Sequence, residues 1–199
     1  MKPSLLNSES SIEIDSLKLE DLLVEKELRT ASSDLIQFIK KTKPGYKAGP
    51  HHHLMAEKLL QVERGEIDRL IICMPPRHGK TEESSIRYPP FFIGRNPTKQ
   101  IICCSYSDDM ASDFGRQVRN IIAEEEFGRI FPGVGLAPDS KASNRWNTNK
   151  GGAYVAAGVG GGITGKGADI LLIDDPFKDR EDADSELDSS PELHEAHCG

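Results

Sequence analysis

The chain has 199 residues, of which 37% are hydrophobic and 29% charged, and its formal net charge is −7. This composition is typical of a globular protein with room for one domain and an appendage. It excludes a membrane-spanning helix, because no apolar run approaches about eighteen residues, and the acidic balance argues against a surface that coats nucleic acid non-specifically. With no apolar signal segment after the N-terminus, we expect a cytoplasmic protein.

The N-terminal part of the chain is predicted to be helical after a loose start. Residues 1–15 carry no strong pattern. Leucines among glutamates and lysines over 16–29 predict an amphipathic helix, and a second helix is predicted over 33–41, ending before Pro44-Gly45. We assign residues 1–45 to a helical lead-in. A third helix, over 52–62, opens the domain that follows.

Three apolar runs, at residues 69–74, 100–105 and 169–174, predict buried parallel strands. Ser107 is suited to cap the helix that follows the second run. The glycine-rich residues 151–167 are predicted to form a hairpin or a flexible loop. Because predicted strands alternate with helices, we expect an α/β fold with a parallel sheet flanked by helices. The domain is predicted to cover residues 46–187, followed by a divergent tail over 188–199.

A phosphate-binding loop is predicted directly after the first strand. Gly79-Lys80-Thr81 matches the end of the pattern G-x-x-x-x-G-K-[ST], with Met74 in place of the first glycine. A loop between a strand and a helix directs backbone N–H groups and the helix N-terminus at one point, as a polyphosphate requires. The alternative is an ordinary strand-to-helix turn that uses Gly79 for its backbone freedom, which leaves the lysine and threonine unexplained.

Several loop residues are therefore candidates for contacts with ATP and Mg²⁺. The residues expected at the ATP phosphates are Pro76, Arg77, His78, Gly79, Lys80 and Thr81. Lys80 is expected to reach the β- and γ-phosphates, and the Thr81 hydroxyl to bind Mg²⁺. Arg77 is placed to contact the γ-phosphate from the same chain, as an arginine finger does. Its alternative role is a solvated or salt-bridged arginine.

Two acids end the third predicted strand. A nucleotide-hydrolysing domain needs one carboxylate for Mg²⁺ and usually a second to polarise the attacking water. We assign Asp174 to Mg²⁺ and Asp175 to the water, although many related ATPases have glutamate at the second position. Both motifs follow the carboxyl ends of predicted strands, where ligands bind in open α/β sheets. Together they predict ATP hydrolysis, with Asp175, Arg77 and Lys80 as catalytic residues.

Several segments, in order, resemble phage and prophage terminase large subunits. They are Thr42-Lys43-Pro44-Gly45-Tyr46, His51-His52-His53, Met74-Pro75-Pro76-Arg77-His78-Gly79-Lys80-Thr81, Cys104-Ser105-Tyr106-Ser107, Arg145-Trp146-Asn147-Thr148, residues 156–165 and Asp174-Asp175-Pro176. The resemblance implies the N-terminal ATPase domain, an ASCE-type P-loop fold, of a motor that packages double-stranded DNA into a viral procapsid. It also implies a portal protein and a small terminase subunit as partners, a homo-oligomeric ring on the portal, and a place in the host cytoplasm.

The same resemblance leads us to expect a truncated chain, without the nuclease domain of such proteins and with an incomplete sheet. A different class of function stays open: a remnant without catalysis that retains nucleotide or partner binding. A helicase-type ATPase is a further alternative. The discriminating observation is ATP turnover by the purified chain.

Four other features allow more than one interpretation. Thr164 and Lys166, in the glycine-rich residues 158–167, could contact DNA phosphates or the nucleotide, or this stretch could be a simple connection. Arg145 and Trp146 either pack locally or contact DNA. The histidines at 51–53 are interpreted as a helix start near the nucleotide base rather than a metal site. The histidines and cysteine of residues 194–198 are interpreted as a chance grouping.

Overall fold

In a computed structural model, the described residues are 6–140, 142–163, 165 and 167–177, with side chains described from residue 18 onward. These residues form an α/β structure in which helices flank a mixed sheet of four strands. Among the described helices, none is long and apolar enough to cross a membrane. The C-terminal tail predicted over 188–199 lies outside the described residues, as do Thr164, Lys166 and the histidines near the C-terminus.

In the described part of the chain, three helices precede the predicted phosphate loop, residues 75–81: α1 (Leu6–Ser33), α2 (Leu35–Thr42) and α3 (Pro50–Glu63). Asp34 separates the first two, and its side chain accepts a hydrogen bond from the Gln37 N–H at 2.9 Å, which caps α2. The predicted helices are thus confirmed. The prediction of a loose start over 1–15 is wrong for residues 6–15, which continue α1; this stretch contains no proline or glycine to interrupt a helix.

The helices after the phosphate loop supply most of the core on one face of the sheet. A π-helix (Glu82–Arg87) leads directly into α4 (Tyr88–Arg95), and α5 (Asp108–Ala123) and α6 (Glu125–Ile130) follow later. Ser107 caps α5 as predicted, by accepting a hydrogen bond from the Met110 N–H. Four phenylalanines join α2, α4 and α6 with ring centroids 5.2–6.5 Å apart: Phe38, Phe91, Phe127 and Phe131.

The sheet contains β1 (Gln100–Ser105), β2 (Arg145–Asn147), β3 (Ala153–Gly158) and β4 (Ile170–Ile173), in the order β2-β3-β1-β4. β3 and β4 both pair parallel with β1, whereas β2 pairs antiparallel with β3. The strands predicted at 100–105 and 169–174 are confirmed. The prediction of an all-parallel sheet holds for three of the strands. The carboxyl ends of those three meet at one edge, and the candidate site lies there.

β3 corrects the interpretation of residues 151–167 as a flexible loop, because six of these residues, Ala153–Gly158, form an interior strand that pairs antiparallel with β2 and parallel with β1. Trp146 of β2 stacks on Tyr154 of β3 with ring centroids 4.9 Å apart, and its Nε1–H donates to the Gly115 carbonyl oxygen at 3.2 Å. Trp146 is therefore a packing residue, whereas Arg145 is exposed.

The prediction of a strand at residues 69–74 is wrong. The segment has the alternation of a strand: Leu70, Ile72 and Met74 pack against the core, while Ile71 is 88% exposed. A strand also needs a neighbour for its backbone N–H and C=O groups. In the described part of the chain the sheet ends at β4, and no strand pairs with this segment.

Candidate phosphate and metal site

The phosphate loop (residues 75–81) borders an open cleft of about 350 Å³, lined by residues 74–82 together with Asp175. Two loop residues have positive φ angles, Arg77 at 64° and Gly79 at 84°. Such a conformation is ordinary for glycine and uncommon for arginine. The loop closes on itself where His78 Nδ1 lies 2.9 Å from the Pro76 carbonyl oxygen. The helix that follows is joined to it by a hydrogen bond from the Glu83 N–H to the Gly79 carbonyl oxygen at 3.0 Å.

The two acids after β4 have different surroundings. Asp174 is 4% exposed, and its backbone N–H donates to the Cys104 carbonyl oxygen at 2.9 Å, which extends the pairing of β4 with β1. The Ser85 hydroxyl, from the π-helix, donates to Asp174 Oδ2 at 2.9 Å. Asp175 is exposed and has a φ angle of 46°. The Asp174 carboxylate is therefore held in place, whereas Asp175 lines the cleft.

Lys80 connects the loop to both acids. Its Nζ lies 3.1 Å from Asp174 Oδ1 and 2.5 Å from Asp175 Oδ1. Partial burial acts to lower the pKa of Lys80, but hydrogen bonds and charge interactions with Asp175 and Asp174 outweigh it and the pKa is raised. The lysine is thus a stable cation between two carboxylates.

The π-helix that follows the phosphate loop contains a buried acid, Glu83. Glu83 is fully buried, and burial raises its pKa to about 8, although a hydrogen bond from Tyr46 acts in the opposite direction. The Tyr46 hydroxyl lies 3.4 Å from Glu83 Oε2, and Oε1 has no hydrogen-bond partner. Burial, followed by the charge of Glu83, raises the pKa of Tyr46. At neutral pH this pair is therefore mostly uncharged, with Glu83 in its protonated form.

The histidines at the start of α3 lie against the phosphate loop. The ring centroids of His51 and His78 are 6.1 Å apart, and those of His51 and His52 are 3.9 Å apart. No group of three or more metal-ligating side chains of the His, Cys, Asp or Glu type occurs in the part of the chain that the structure describes. Residues 51–53 lie in the first turn of α3, which agrees with their interpretation as a helix start.

The structure brings together the residues predicted from separate parts of the sequence. All six predicted phosphate contacts line the cleft: Pro76, Arg77, His78, Gly79, Lys80 and Thr81. Asp175 lines it as well, and Asp174 is joined to it through Lys80. Of the glycine-rich stretch, Gly158 is held at the start of α5, where its N–H donates to Asp108 Oδ1 at 2.6 Å.

Three residues at this site were not found by sequence reasoning: His52 as a loop contact, Glu83 and Ser85. The available signal was a run of polar residues, Glu82-Glu83-Ser84-Ser85, in a helix that must pack against a sheet. Polar side chains in a buried helix require partners, which points to a site. The identity of those partners depends on the fold.

The chain matches a model of a known protein family. Residues 71–194 match the family model described as terminase large subunit, T4likevirus-type, N-terminal. The matched range is more than half of the chain and contains both the phosphate loop and the two acids. No curated protein and no solved structure matches the chain.

Proposed function

Because residues 71–194 match the N-terminal region of T4-like terminase large subunits, the chain belongs to that family. From this premise we propose that it is the ATP-hydrolysing domain of a DNA-packaging motor. The observation that carries the proposal is the contact of Lys80 with Asp174 and Asp175, which joins the phosphate loop to two carboxylates from a distant part of the sequence. A phosphate-binding lysine, a carboxylate for a divalent cation and a second carboxylate for water are what nucleotide hydrolysis requires.

The residues present fit a magnesium nucleotide. Mg²⁺ prefers oxygen ligands, and the Asp174 carboxylate and the Thr81 hydroxyl provide them. The acid pair already accommodates a cation, the Lys80 ammonium group. When bound, Mg²⁺ would neutralise charge on the phosphate oxygens. Ser85 would keep Asp174 oriented through its hydrogen bond to Oδ2.

The remaining roles belong to side chains that line the cleft. In the proposed reaction, Lys80 exchanges its carboxylate partners for the β- and γ-phosphates. Asp175, which projects into the cleft, orients the attacking water and accepts its proton. Arg77 stabilises negative charge that develops on the γ-phosphate. In support of this role, the Arg77 side chain is exposed and lines the cleft.

The family also supports partners for the proposed motor. We propose double-stranded DNA as the substrate that is moved, and a portal protein and a small terminase subunit as protein partners. A homo-oligomeric ring on the portal, in the host cytoplasm, is the corresponding assembly. The family match makes this proposal preferable to a helicase.

One observation favours a second candidate, nucleotide or partner binding without hydrolysis. Residues 70–74, which lead into the phosphate loop, are outside the sheet. A loop whose supporting segment is not paired can bind phosphates while holding the reacting groups too loosely for catalysis. Measuring both ATP turnover and ATP binding separates the two candidates.

The test is ATP turnover and ATP binding by the purified chain and by Lys80→Ala. We expect the variant to lose turnover by a factor on the order of 10² or more, because it removes a charge that stabilises the transition state. The control is Lys150→Ala, which removes an exposed lysine at the opposite edge of the sheet and is expected to leave turnover unchanged. Binding without turnover in a folded wild-type chain would favour the second candidate. Equal turnover in the wild type and Lys80→Ala would contradict the role given to Lys80.

A further inference from the structure

His52 is a buried polar residue that lies beside the phosphate loop without lining the cleft. It is the third residue of α3, and only 8% of it is exposed. Its ring lies between the start of the helix and the loop, in contact with Tyr46 on one side (ring centroids 5.5 Å apart). A buried imidazole needs a partner for each nitrogen.

The two ring nitrogens of His52 face different parts of the chain. Nδ1 accepts a hydrogen bond from the Gly49 N–H at 2.8 Å, which caps α3. In the neutral ring, the proton is therefore on Nε2. Nε2 faces the phosphate loop so closely that a Cβ atom added to Gly79 would lie 2.6 Å from it. The backbone of His78 also interacts with the ring and favours its protonated form.

The neutral form of the ring is favoured by its surroundings. Burial lowers the pKa of His52, and the neighbouring His51 lowers it further, while the interaction with the backbone of His78 acts in the opposite direction. A neutral ring has one acceptor nitrogen and one donor N–H. This combination allows His52 to accept from the helix start and to donate toward the loop at the same time.

We propose that His52 positions the phosphate loop: its Nε2–H holds the backbone at His78 and Gly79 in the conformation that receives the nucleotide phosphates. The inference rests on the proposed function, because it concerns the same cleft. His52 acts through the loop backbone, so it is a positioning residue rather than a catalytic one. It makes the start of α3 a fixed support for a loop whose own residues have positive φ angles.

Two substitutions separate the capping role of His52 from its role toward the loop. His52→Asn keeps a hydrogen-bond acceptor near the position of Nδ1, and so keeps the cap of α3, but its side chain is too short to reach the loop. In His52→Gln the acceptor and the donor of the longer amide can replace both nitrogens, and glutamine at this helix position is itself a good capping residue. His53→Asn, at an exposed position in the same helix, is the matched control.

The measurements are the dissociation constant of a fluorescent ATP analogue, from its anisotropy, and the melting temperature without nucleotide. We expect His52→Asn to melt close to the wild type but to bind the analogue roughly tenfold or more weakly, because a displaced loop loses its phosphate contacts. For His52→Gln, we expect a dissociation constant within about threefold of the wild-type value. A tenfold change would correspond to about 1.4 kcal/mol. His53→Asn should match the wild type in both measurements.

The outcomes distinguish this inference from the proposed function. A folded wild-type chain that does not bind the analogue overturns the proposed function, and the inference with it. If the wild type binds and His52→Asn binds equally well, only the inference is overturned. If His52→Asn does not fold, His52→Gln becomes the deciding variant, and a folded His52→Gln that binds tenfold more weakly also overturns the inference.

Discussion

The Lys80 ammonium group lies between two carboxylates at the place where the proposed divalent cation would bind. Because the lysine and the cation compete for Asp174 and Asp175, removing the lysine charge should make the acid pair more available. We predict that Lys80→Gln binds Mn²⁺ about five to ten times more tightly than the wild type in the absence of nucleotide, corresponding to roughly 1 kcal/mol for a partly exposed ion pair. Titration followed by electron paramagnetic resonance of free Mn²⁺ measures this.

A lysine elsewhere in the sheet controls for a general charge effect on Mn²⁺ binding. Lys99 pairs with Asp169 at 2.6 Å, at the edge of the sheet opposite to the cleft. Lys99→Gln changes the net charge by the same amount and also frees a carboxylate, but it leaves the acid pair intact. If both variants bind Mn²⁺ equally, the competition at Asp174 and Asp175 is refuted.

Individual residues of the site differ in how far the sequence reveals them. Gly79, Lys80 and Thr81 are adjacent in the chain, and their order reflects the chemistry directly, so the loop could be predicted. His52 and Ser85 act through space, on partners far away in the chain. Nothing local in the sequence distinguishes His52 from its neighbours His51 and His53. The burial of one of the three residues, which selects it, is a property of the fold.

Two glycines in neighbouring helices have opposite surroundings. A Cβ added to Gly94 in α4 would lie 2.3 Å from Phe131 Cδ2, whereas a Cβ added to Gly128 in α6 would meet no atom within 4 Å. We predict that Gly94→Ala lowers the free energy of unfolding by about 1–3 kcal/mol through overpacking. Gly128→Ala should raise it by about 0.5–1 kcal/mol, since alanine favours the helix. Urea unfolding of the two variants and the wild type measures both changes.

The two glycine substitutions control for each other, because the chemical change is identical and only the surroundings differ. If Gly94→Ala is neutral, Phe131 is free to move and the phenylalanine cluster is looser than its ring contacts indicate. If both substitutions stabilise the protein equally, helix propensity alone determines the outcome.

The secondary structure was predictable where the local pattern and the long-range pairing agree. β1 and β4 are apolar runs with a parallel neighbour, and both were predicted correctly. Residues 69–74 have the same type of pattern but no paired neighbour among the described residues, so the pattern alone was misleading. The opposite error occurs at β3. The surrounding glycines predict a loop, but the residues form an interior strand that pairs with β1 along its full length. Pairing partners are a property of the whole sheet.

The sheet as a whole is covered unevenly. The core is built on the face that carries Ile101 and Cys103, while on the opposite face Leu171 is 53% exposed and Ile173 is 56% exposed. Exposed apolar residues on an outer strand promote association between chains. We predict that Leu171→Lys reduces self-association of the purified chain at high concentration, measured by static light scattering.

A second exposed leucine provides the comparison for this solubility effect. Leu54 in α3 is 57% exposed, similar to Leu171, but it lies on a helix and not on an outer strand. Leu54→Lys adds the same charge and should leave the concentration dependence of scattering almost unchanged. An equal decrease in both variants would show that net charge, and not the outer strand, controls association.

The π-helix between the phosphate loop and α4 makes the function of this segment sensitive to the number of residues in it. A π-turn contains an additional residue compared with an α-turn, so it rotates the residues before it by about 100° relative to those after it. With this rotation, Ser85 faces Asp174 while Tyr88 and Phe91 are buried in the core. Losing a single residue from Glu82–Arg87 would put the loop and the core helix out of phase, even with every side chain of the cleft retained. In this segment the number of residues therefore matters as well as their identity.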